Sequence, residues 1–207
     1  MKCASAYSAQ SKLPERLPGQ IVVGIDEVGR GAWAGPLLVS AVVFTQAVPA
    51  GVTDSKLLTP NRREILARDI KATASAIGLG WVTSSELDLI GLSPALTLGA
   101  ARAVAALGCA YDLVIIDGTI DFLPALNTVT LPKADLLVPE VAAASIVAKV
   151  SRDAFMRSLH RRDPRYGFDQ HVGYGTLVHA RSLALYGPGP QHRRSFAPVQ
   201  KASFVNR

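Results

Sequence analysis

The chain of 207 residues contains little cysteine and no long uncharged apolar run, and each shortage excludes a class of protein. Its two cysteines, Cys3 and Cys109, are far apart and form no CxxC pair, which excludes a zinc ribbon and a disulfide scaffold. No segment approaches the ~18 apolar residues that a membrane helix requires, and the N-terminus lacks the apolar core of a secretory signal. These absences favour a cytoplasmic protein. Hydrophobic residues make up 49% of the chain, enough for a folded core.

Basic residues are distributed unevenly along the chain. The formal net charge is +6, yet residues 1–151 contain 12 basic and 13 acidic side chains. From Arg152 to the end there are ten Lys and Arg against three acids, and all four histidines also lie in this part. This pattern predicts that a polyanion is held against a near-neutral body. The alternative is a solvated cationic face with no ligand.

Composition and periodicity predict the division of the chain and its elements. Residues 1–19 are polar and predict a disordered lead-in, residues 20–160 form the body, and 161–207 form a basic, helical C-terminal segment and tail. Strands are predicted at 21–25, 36–44, 76–83, 111–117 and 127–131, and helices from Thr59, from Ser93 to Leu107, over 138–160 and over 176–186. The glycine-rich link between the first two strands indicates a hairpin or meander. This order favours an α/β or α+β body with a mixed sheet.

Acidic residues occur where predicted strands and helices begin or end. Asp26 and Glu27 follow the first strand, Asp117 ends the fourth, and Asp135 comes just before the long helix. Each has a structural alternative, as a turn residue or as an acid at a helix N-terminus. Three such places in one basic protein favour a shared site for a divalent cation.

The chemistry of these ligands indicates a nuclease. No Cys/His cluster has zinc spacing, so the ligands are oxygens, which suit Mg²⁺ or Mn²⁺. A pair of such ions ~3.5–4 Å apart, held by carboxylates, serves in-line attack on a phosphodiester. The acids and the basic C-terminal part then belong to one function.

The glycine-rich loop GRGAWAG contains Gly29, Gly31 and Gly35 and is followed by a strand. A dinucleotide-binding fingerprint requires different spacing and a following helix, so that interpretation fails. Glycines without side chains allow close approach of a ligand, and Arg30 between them can contact phosphate. A plain β-turn is the alternative.

Several motifs together resemble bacterial ribonuclease HII. They are GIDEVGRG from Gly24, DSK at 54–56, IDG at 116–118, KADLLVPEVAAASIVAKVSRD at 133–153, YGF…HVGYGT…H at 166–179 and HRRSF at 192–196. They run in the family's order from about residue 21 to 199. The resemblance implies a ribonuclease H-like fold, a five-stranded mixed sheet flanked by helices with a C-terminal helical appendage, and places the catalytic domain at 20–160.

The same resemblance implies an activity and a site. The activity is cleavage of RNA in RNA–DNA hybrids, and nicking 5′ to single ribonucleotides embedded in duplex DNA, which leaves 3′-OH and 5′-phosphate ends. It requires Mg²⁺ or Mn²⁺ and implies a monomer whose partner is the nucleic acid, and it leaves a sliding-clamp partner open. The implied metal ligands are Asp26, Glu27, Asp117 and Asp135. The implied sensor of the 2′-OH is Gly29, Arg30 and Gly31, and the implied reader of the RNA–DNA junction is Tyr174.

Further polar residues are candidates for phosphate contacts, namely Lys56, Ser145 and Lys149. For Lys149 the alternative is a solvated base on a helix. Val172 stands where the family commonly has lysine, so one phosphate contact is expected to be missing. Two other functions stay open: a ribonuclease H-fold nuclease with another substrate, such as a junction resolvase, and a nucleic-acid-binding module with structural acids.

Overall fold

A computed structural model describes residues 17–205 of the chain, with side chains to residue 202. The predicted lead-in therefore falls almost entirely outside the described residues. Within them, no helix is long and apolar enough to cross a membrane.

Five strands form one mixed sheet. They are β1 (Val22–Val28), β2 (Leu37–Val43), β3 (Ala76–Val82), β4 (Leu113–Asp117) and β5 (Thr128–Leu131). Their spatial order is β3-β2-β1-β4-β5, in which β1, β2 and β3 form an antiparallel meander and β4 and β5 run parallel to β1. The predicted five-stranded mixed sheet is confirmed, and β1 lies at its centre.

Eight helices surround the sheet in the described part of the chain. They are α1 (Pro60–Thr73), α2 (Ser84–Ile90), α3 (Leu92–Ala105), α4 (Ala134–Leu137), α5 (Pro139–Arg162), α6 (Phe168–His171), α7 (Leu177–Tyr186) and α8 (Ala197–Val205). Single 3₁₀ turns occupy Ser55–Leu57 and Pro164–Tyr166. The predicted helices α1, α3, α5 and α7 are present, and the hydroxyls of Thr59 and Thr176 cap α1 and α7.

Several helices differ from the sequence prediction, which did not include the four-residue helices α4 and α6. Helix α2 was not predicted, although Thr83 and Glu86 form a capping box at its start, because its seven residues are too few for a clear apolar periodicity. Helix α8 lies in a region predicted only as a tail. Helix α3 starts at Leu92 rather than at Ser93, with Gly91 before it.

Helices α5 and α3 pack directly on opposite faces of the sheet. A Cβ on Gly24 of β1 would collide with the Glu140 backbone of α5, and one on Gly80 of β3 would collide with the Gly99 backbone of α3. Glycine at these strand positions allows the helix backbones to approach closely. Helix α5 is therefore held in fixed register over β1, where Asp26 and Glu27 lie.

The C-terminal segment packs into the loop between β1 and β2. The Trp33 amide donates to the Gly173 carbonyl at 2.8 Å, and the Arg193 amide donates to the Trp33 carbonyl at 2.8 Å. Ala34 and His192 form an isolated β-bridge. The basic part of the chain thus contacts the glycine-rich loop through its backbone.

Candidate active site

The sheet brings Asp26 and Asp117 side by side. Strands β1 and β4 are parallel and pair Ile25 with Ile116, so the next residue on each strand is an aspartate at the carboxyl end. Glu27 follows on β1, while Asp135 comes from α4. Four acids from distant parts of the sequence thereby surround one end of the sheet.

The structure changes two of the predicted placements. Asp26 and Glu27 lie within β1 rather than after it, because β1 continues pairing with β2 as far as Val28. Asp135 is buried on the short helix α4, and Val138 separates this helix from α5. Asp135 is therefore not an acid at the N-terminus of the long helix. Asp117 ends its strand as predicted.

Burial and mutual repulsion disfavour the ionised form of these acids. Burial, with the charges of Glu27 and Asp117 adding to it, raises the pKa of Asp26 to about 8, although a hydrogen bond from Ser145 opposes the shift. Burial and the charge of Asp117 also raise the pKa values of Glu27 and Asp135. A cation among these carboxylates would relieve the repulsion.

Lys56 supplies a positive charge at the edge of this acidic group. Its Nζ lies 3.4 Å from Asp135 Oδ2 and 3.8 Å from Asp54 Oδ1, while 76% of its side chain is exposed. Partial burial works against ionisation, but the carboxylates of Asp135 and Asp54 outweigh it and raise the pKa of Lys56. Lys56 is charged at neutral pH and accessible to a ligand.

The donor set fits a hard divalent cation. Asp117 Oδ1 accepts a hydrogen bond from the Ala134 amide at 2.7 Å, and Asp26 Oδ1 accepts one from the Glu27 amide at 2.8 Å. These bonds, with the one that Asp26 accepts from Ser145, fix the orientation of the two carboxylates. Among the described residues, no group of three or more Asp, Glu, His or Cys side chains is arranged to hold a metal ion as it stands. Carboxylate oxygens are nonetheless the ligands that hard divalent cations prefer.

A cleft of about 420 Å³ opens beside the acids. Asp26, Glu27 and Asp117 line it, and so do most of the residues predicted to bind substrate, namely Gly29, Arg30, Lys56, Ser145, Lys149 and Tyr174. Gly31 and Asp135 are not among the lining residues. The structure therefore gathers residues from five separate sequence motifs around one cleft.

Three lining residues, Val28, Ser55 and Arg63, were not predicted, and two of them are polar. Ser55 Oγ lies 2.9 Å from Ser145 Oγ, and the Arg63 guanidinium donates to the carbonyls of Ser55 and Leu58, each at 2.9 Å. Arg63 thus fixes the 3₁₀ turn that carries Lys56. Ser55 lies beside Lys56 in the DSK motif, so the motif could have identified it. Arg63 is one of several basic residues on α1, and nothing in the sequence distinguishes it from the others.

Lys149 is partly buried rather than a solvated helix base. Its Nζ forms an ion pair with Asp153 at 2.9 Å, one helical turn further along α5. The side chain also lines the cleft. The ion pair holds the ammonium near the cleft wall, where a phosphate can compete for it.

The glycines of the loop differ in what surrounds them. Gly29 has a φ of +86°, and a Cβ there would collide with the guanidinium of Arg152. Gly31 has no heavy atom within 4 Å of an added Cβ. The carbonyl of Arg30 accepts a hydrogen bond from Arg193 at 2.9 Å. Packing explains the glycine at 29, but no packing contact explains the one at 31.

Tyr174 reaches the same loop from the C-terminal segment. Its hydroxyl accepts a hydrogen bond from the Gly29 amide at 3.2 Å. The Arg152 guanidinium lies 5.5 Å from the centre of its ring. Val172, two residues before Tyr174, has a φ of 43°, in the left-handed region that a residue with a β-branched side chain rarely adopts. Tyr174 is therefore held in place at the cleft.

Part of the basic surplus lies inside the protein. Arg152 and Arg193 are both fully buried, at 0% exposure, and their guanidinium groups bind backbone carbonyls. Burial lowers the pKa of Arg193 to about 9. Charge counting along the sequence therefore overestimates the cationic surface, because it assigns every arginine to solvent.

Two histidines, His179 and His192, form a buried hydrogen-bonded pair behind Tyr174, and His171 stacks on this pair. His179 Nδ1 donates to the Tyr174 carbonyl at 3.0 Å, and its Nε2 lies 3.0 Å from Nε2 of His192. His192 Nδ1 accepts from the Gly189 amide at 3.0 Å, so its Nε2–H is the donor to His179. The His171 ring stacks on that of His179 with centroids 4.5 Å apart. Both His179 and His192 must be neutral for these bonds to form together.

Acid is expected to destabilise the protein through this pair. Burial lowers the pKa values of His179 and His192 to about 4, whereas an unfolded chain protonates histidine near 6.5. The unfolded state binds more protons between these values, so stability is complete above pH 6.5 and falls as pH drops toward 4. The loss is on the order of 1.4 kcal/mol per pH unit for each histidine. Urea unfolding at pH 7.0 and 5.0 measures it.

Matched variants separate this group from other acid-sensitive residues. His192→Gln should lower the free energy of unfolding at pH 7.0 and reduce the loss of that free energy between pH 7.0 and pH 5.0. Gln170→Ala, at an exposed residue of the same segment that does not titrate, should leave this loss as in the unsubstituted protein. An unchanged slope in His192→Gln would contradict the assignment.

The chain is similar to one protein family over most of its length. The sequence model of the family described as Ribonuclease HII matches residues 23–199. Ribonuclease HII of Herpetosiphon aurantiacus is 45% identical over 194 residues, covering 90% of this chain and 92% of that protein. Ribonuclease HII of Thermus thermophilus is 46% identical over 190 residues, covering 89% and 90%.

Solved structures share the fold. Ribonuclease H2 from Pyrococcus horikoshii superposes with a TM-score of 0.74 at 25% identity, covering 89% of this chain and 98% of that one. Ribonuclease HII of Archaeoglobus fulgidus, solved as a complex with PCNA, gives 0.74 at 25% identity, covering 90% and 97%. These similarities confirm the resemblance found in the motifs and the ribonuclease H-like architecture.

Proposed function

Since this chain belongs to the ribonuclease HII family, and is a metal-dependent endonuclease of the ribonuclease H type, we propose that it nicks duplex DNA 5′ to a single embedded ribonucleotide. Its products carry 3′-OH and 5′-phosphate ends. The observation that carries the proposal is the hydrogen bond between Tyr174 and Gly29. It joins the segment that reads the junction to the loop that senses the 2′-OH, beside the acids.

The loop of Gly29, Arg30 and Gly31 detects the ribose. Only the 2′-OH distinguishes RNA from DNA at a given nucleotide. The carbonyl of Arg30 is already bonded to Arg193, and the amide of Gly29 is bonded to Tyr174. The amides of Arg30 and Gly31 are therefore the groups we assign to the sugar. The open space at Gly31 supports this assignment, because a sugar can approach the backbone there.

Tyr174 favours deoxyribose on the next nucleotide. Its hydroxyl is anchored on Gly29, so the ring cannot swing away to admit an additional 2′-OH. Phosphates on either side contact Lys56, Ser145 and Lys149, each of which lines the cleft. Such contacts position the duplex without reading its sequence. The chain thus recognises the type of sugar rather than the bases.

The carboxylates of Asp26, Glu27, Asp117 and Asp135 hold Mg²⁺ or Mn²⁺. A divalent ion held by these residues would supply Lewis-acid activation of the attacking water and stabilisation of the leaving oxygen. Hydrogen bonds from the protein orient Asp26 and Asp117, and Lys56 neutralises part of the charge at Asp135. Because these groups are fixed before substrate binds, the reaction needs little reorganisation of the site.

Cleavage of defined duplexes tests the proposal. A DNA duplex with one ribonucleotide should be nicked on its 5′ side with Mg²⁺ or Mn²⁺, and excess EDTA should stop the reaction. End analysis of the fragments should find 3′-OH and 5′-phosphate. An all-DNA duplex of the same sequence is the matched control and should stay intact.

Two results would favour the alternative functions. Cleavage of an all-DNA four-way junction in preference to the ribonucleotide duplex would indicate a resolvase. Binding of both duplexes without any metal-dependent turnover would indicate a nucleic-acid-binding module. Turnover that persists in excess EDTA would contradict the role assigned to the four acids.

A further inference from the structure

Arg152 is buried beneath the junction between the two substrate-reading segments. Its Nε donates to the Pro36 carbonyl at 2.8 Å and its Nη2 to the Ala34 carbonyl at 3.1 Å, both in the loop between β1 and β2. Its Nη1 donates to the Val172 carbonyl at 2.8 Å, two residues before Tyr174. One guanidinium therefore binds both segments at once.

Arg193 reinforces the same loop from the other side. Its Nε donates to the Gly35 carbonyl at 3.0 Å and its Nη1 to the Arg30 carbonyl at 2.9 Å. Its Nη2 is buried without a hydrogen-bond partner among the described residues. Burial lowers the pKa values of both arginines. Two cations are thus buried on backbone carbonyls, which is costly for folding alone.

We propose that Arg152 and Arg193 are positioning residues that set the distance between the 2′-OH-sensing loop and Tyr174. They thereby control selectivity for the RNA–DNA junction, acting through the hydrogen bond between Tyr174 and Gly29. The inference rests on the proposed function, since it concerns how the same cleft distinguishes its substrates. Neither arginine lines the cleft, and both are fully buried.

The shape of the guanidinium suits this role, and that of lysine does not. The planar guanidinium of Arg152 bonds three carbonyls while its Cζ lies 5.5 Å from the centre of the Tyr174 ring. A lysine ammonium is a single point donor on a flexible stem and cannot hold two segments in one geometry. The loop itself is built around Arg152, because a side chain at Gly29 would collide with its guanidinium.

A double-mutant cycle tests the inference. Arg152→Lys, Tyr174→Ala and the double variant are compared for kcat and KM on a duplex with one ribonucleotide and on a continuous RNA–DNA hybrid. Arg152→Lys should lower kcat/KM on the single ribonucleotide by up to about 100-fold, the effect of a misplacement near 1 Å, and on the hybrid several-fold less. In the Tyr174→Ala background the change in selectivity should vanish.

Controls make each outcome decisive. Arg102→Lys alters another arginine that binds a backbone carbonyl, that of Trp81, far from the cleft, and should leave selectivity unchanged. Should Arg152→Lys show no melting transition, Arg193→Lys takes its place in the cycle. Equal loss on both substrates, or the same selectivity change with and without Tyr174, would overturn the inference. A wild-type enzyme inactive on the single ribonucleotide would instead show that the proposed function fails.

Discussion

Asp26→Asn is expected to abolish cleavage while raising the melting temperature in metal-free buffer. The asparagine keeps the shape of the side chain but cannot supply the anionic oxygen, so we expect kcat to fall by about 10³-fold or more, as for loss of one preorganised group. Burial and the charges of Glu27 and Asp117 raise the pKa of Asp26 to about 8, so folding at neutral pH must protonate this carboxyl, a free-energy cost that the neutral asparagine avoids. Calorimetry in EDTA and a cleavage assay measure the two effects.

The control for this variant is an acidic residue outside the site. Asp69→Asn, at an exposed position on α1, should leave both activity and melting temperature unchanged. Added Mg²⁺ should stabilise the unsubstituted protein more than it stabilises the Asp26→Asn variant. The difference in melting temperature between the two proteins should therefore be smaller in Mg²⁺ than in EDTA, or reversed. A fully active Asp26→Asn enzyme, or one with a lowered melting temperature, would contradict the account of the site.

Gly31→Ala is expected to impair activity without affecting the fold. Gly31 has a φ outside the left-handed region and open space at its Cβ position, so alanine fits and the unfolded chain loses entropy. The new methyl group occupies the space that we assign to the sugar. We expect kcat/KM on a single ribonucleotide to fall by about 10- to 100-fold, with an unchanged or slightly higher melting temperature.

Gly29→Ala, two residues away, provides the contrast. Its positive φ and the collision with Arg152 predict a clear loss of stability as well as activity. Full activity of the Gly31→Ala variant would contradict the proposed role of the loop in ribose recognition. Destabilisation of Gly31→Ala equal to that of Gly29→Ala would mean that the loop is only a structural turn.

The sequence predicts most of the sheet because apolar, β-branched runs mark strands directly. The same rule ends β1 too early, since it stops at the first charged residue. Asp26 and Glu27 stay in the strand because β2 pairs alongside them as far as the pair of Val28 with Leu38. Pairing partners are a property of the assembled sheet, and local pattern cannot reveal them.

The positions of the site residues are only partly accessible from sequence. The motifs identify the residues around the cleft, and the parallel pairing of β1 and β4 explains why Asp26 and Asp117 meet. The buried state of Arg152 and Arg193 could not be predicted, because all but one of their partner carbonyls lie 116 to 163 residues away. Sequence reasoning assigned both to a polyanion-binding surface.

These long sequence separations also mean that the two residues of each contact are synthesised at different times. The residues joined by the bond between Tyr174 and Gly29 are 145 positions apart, and those joined by the bond from Arg193 to Arg30 are 163 apart. A chain leaves the ribosome N-terminus first, so β1 and its acids emerge long before Arg193. A chain released before Tyr174 is synthesised would contain Asp26 and Glu27 but lack the segment that we propose reads the RNA–DNA junction. Under the proposed function, selectivity therefore requires the chain to be synthesised beyond Arg193.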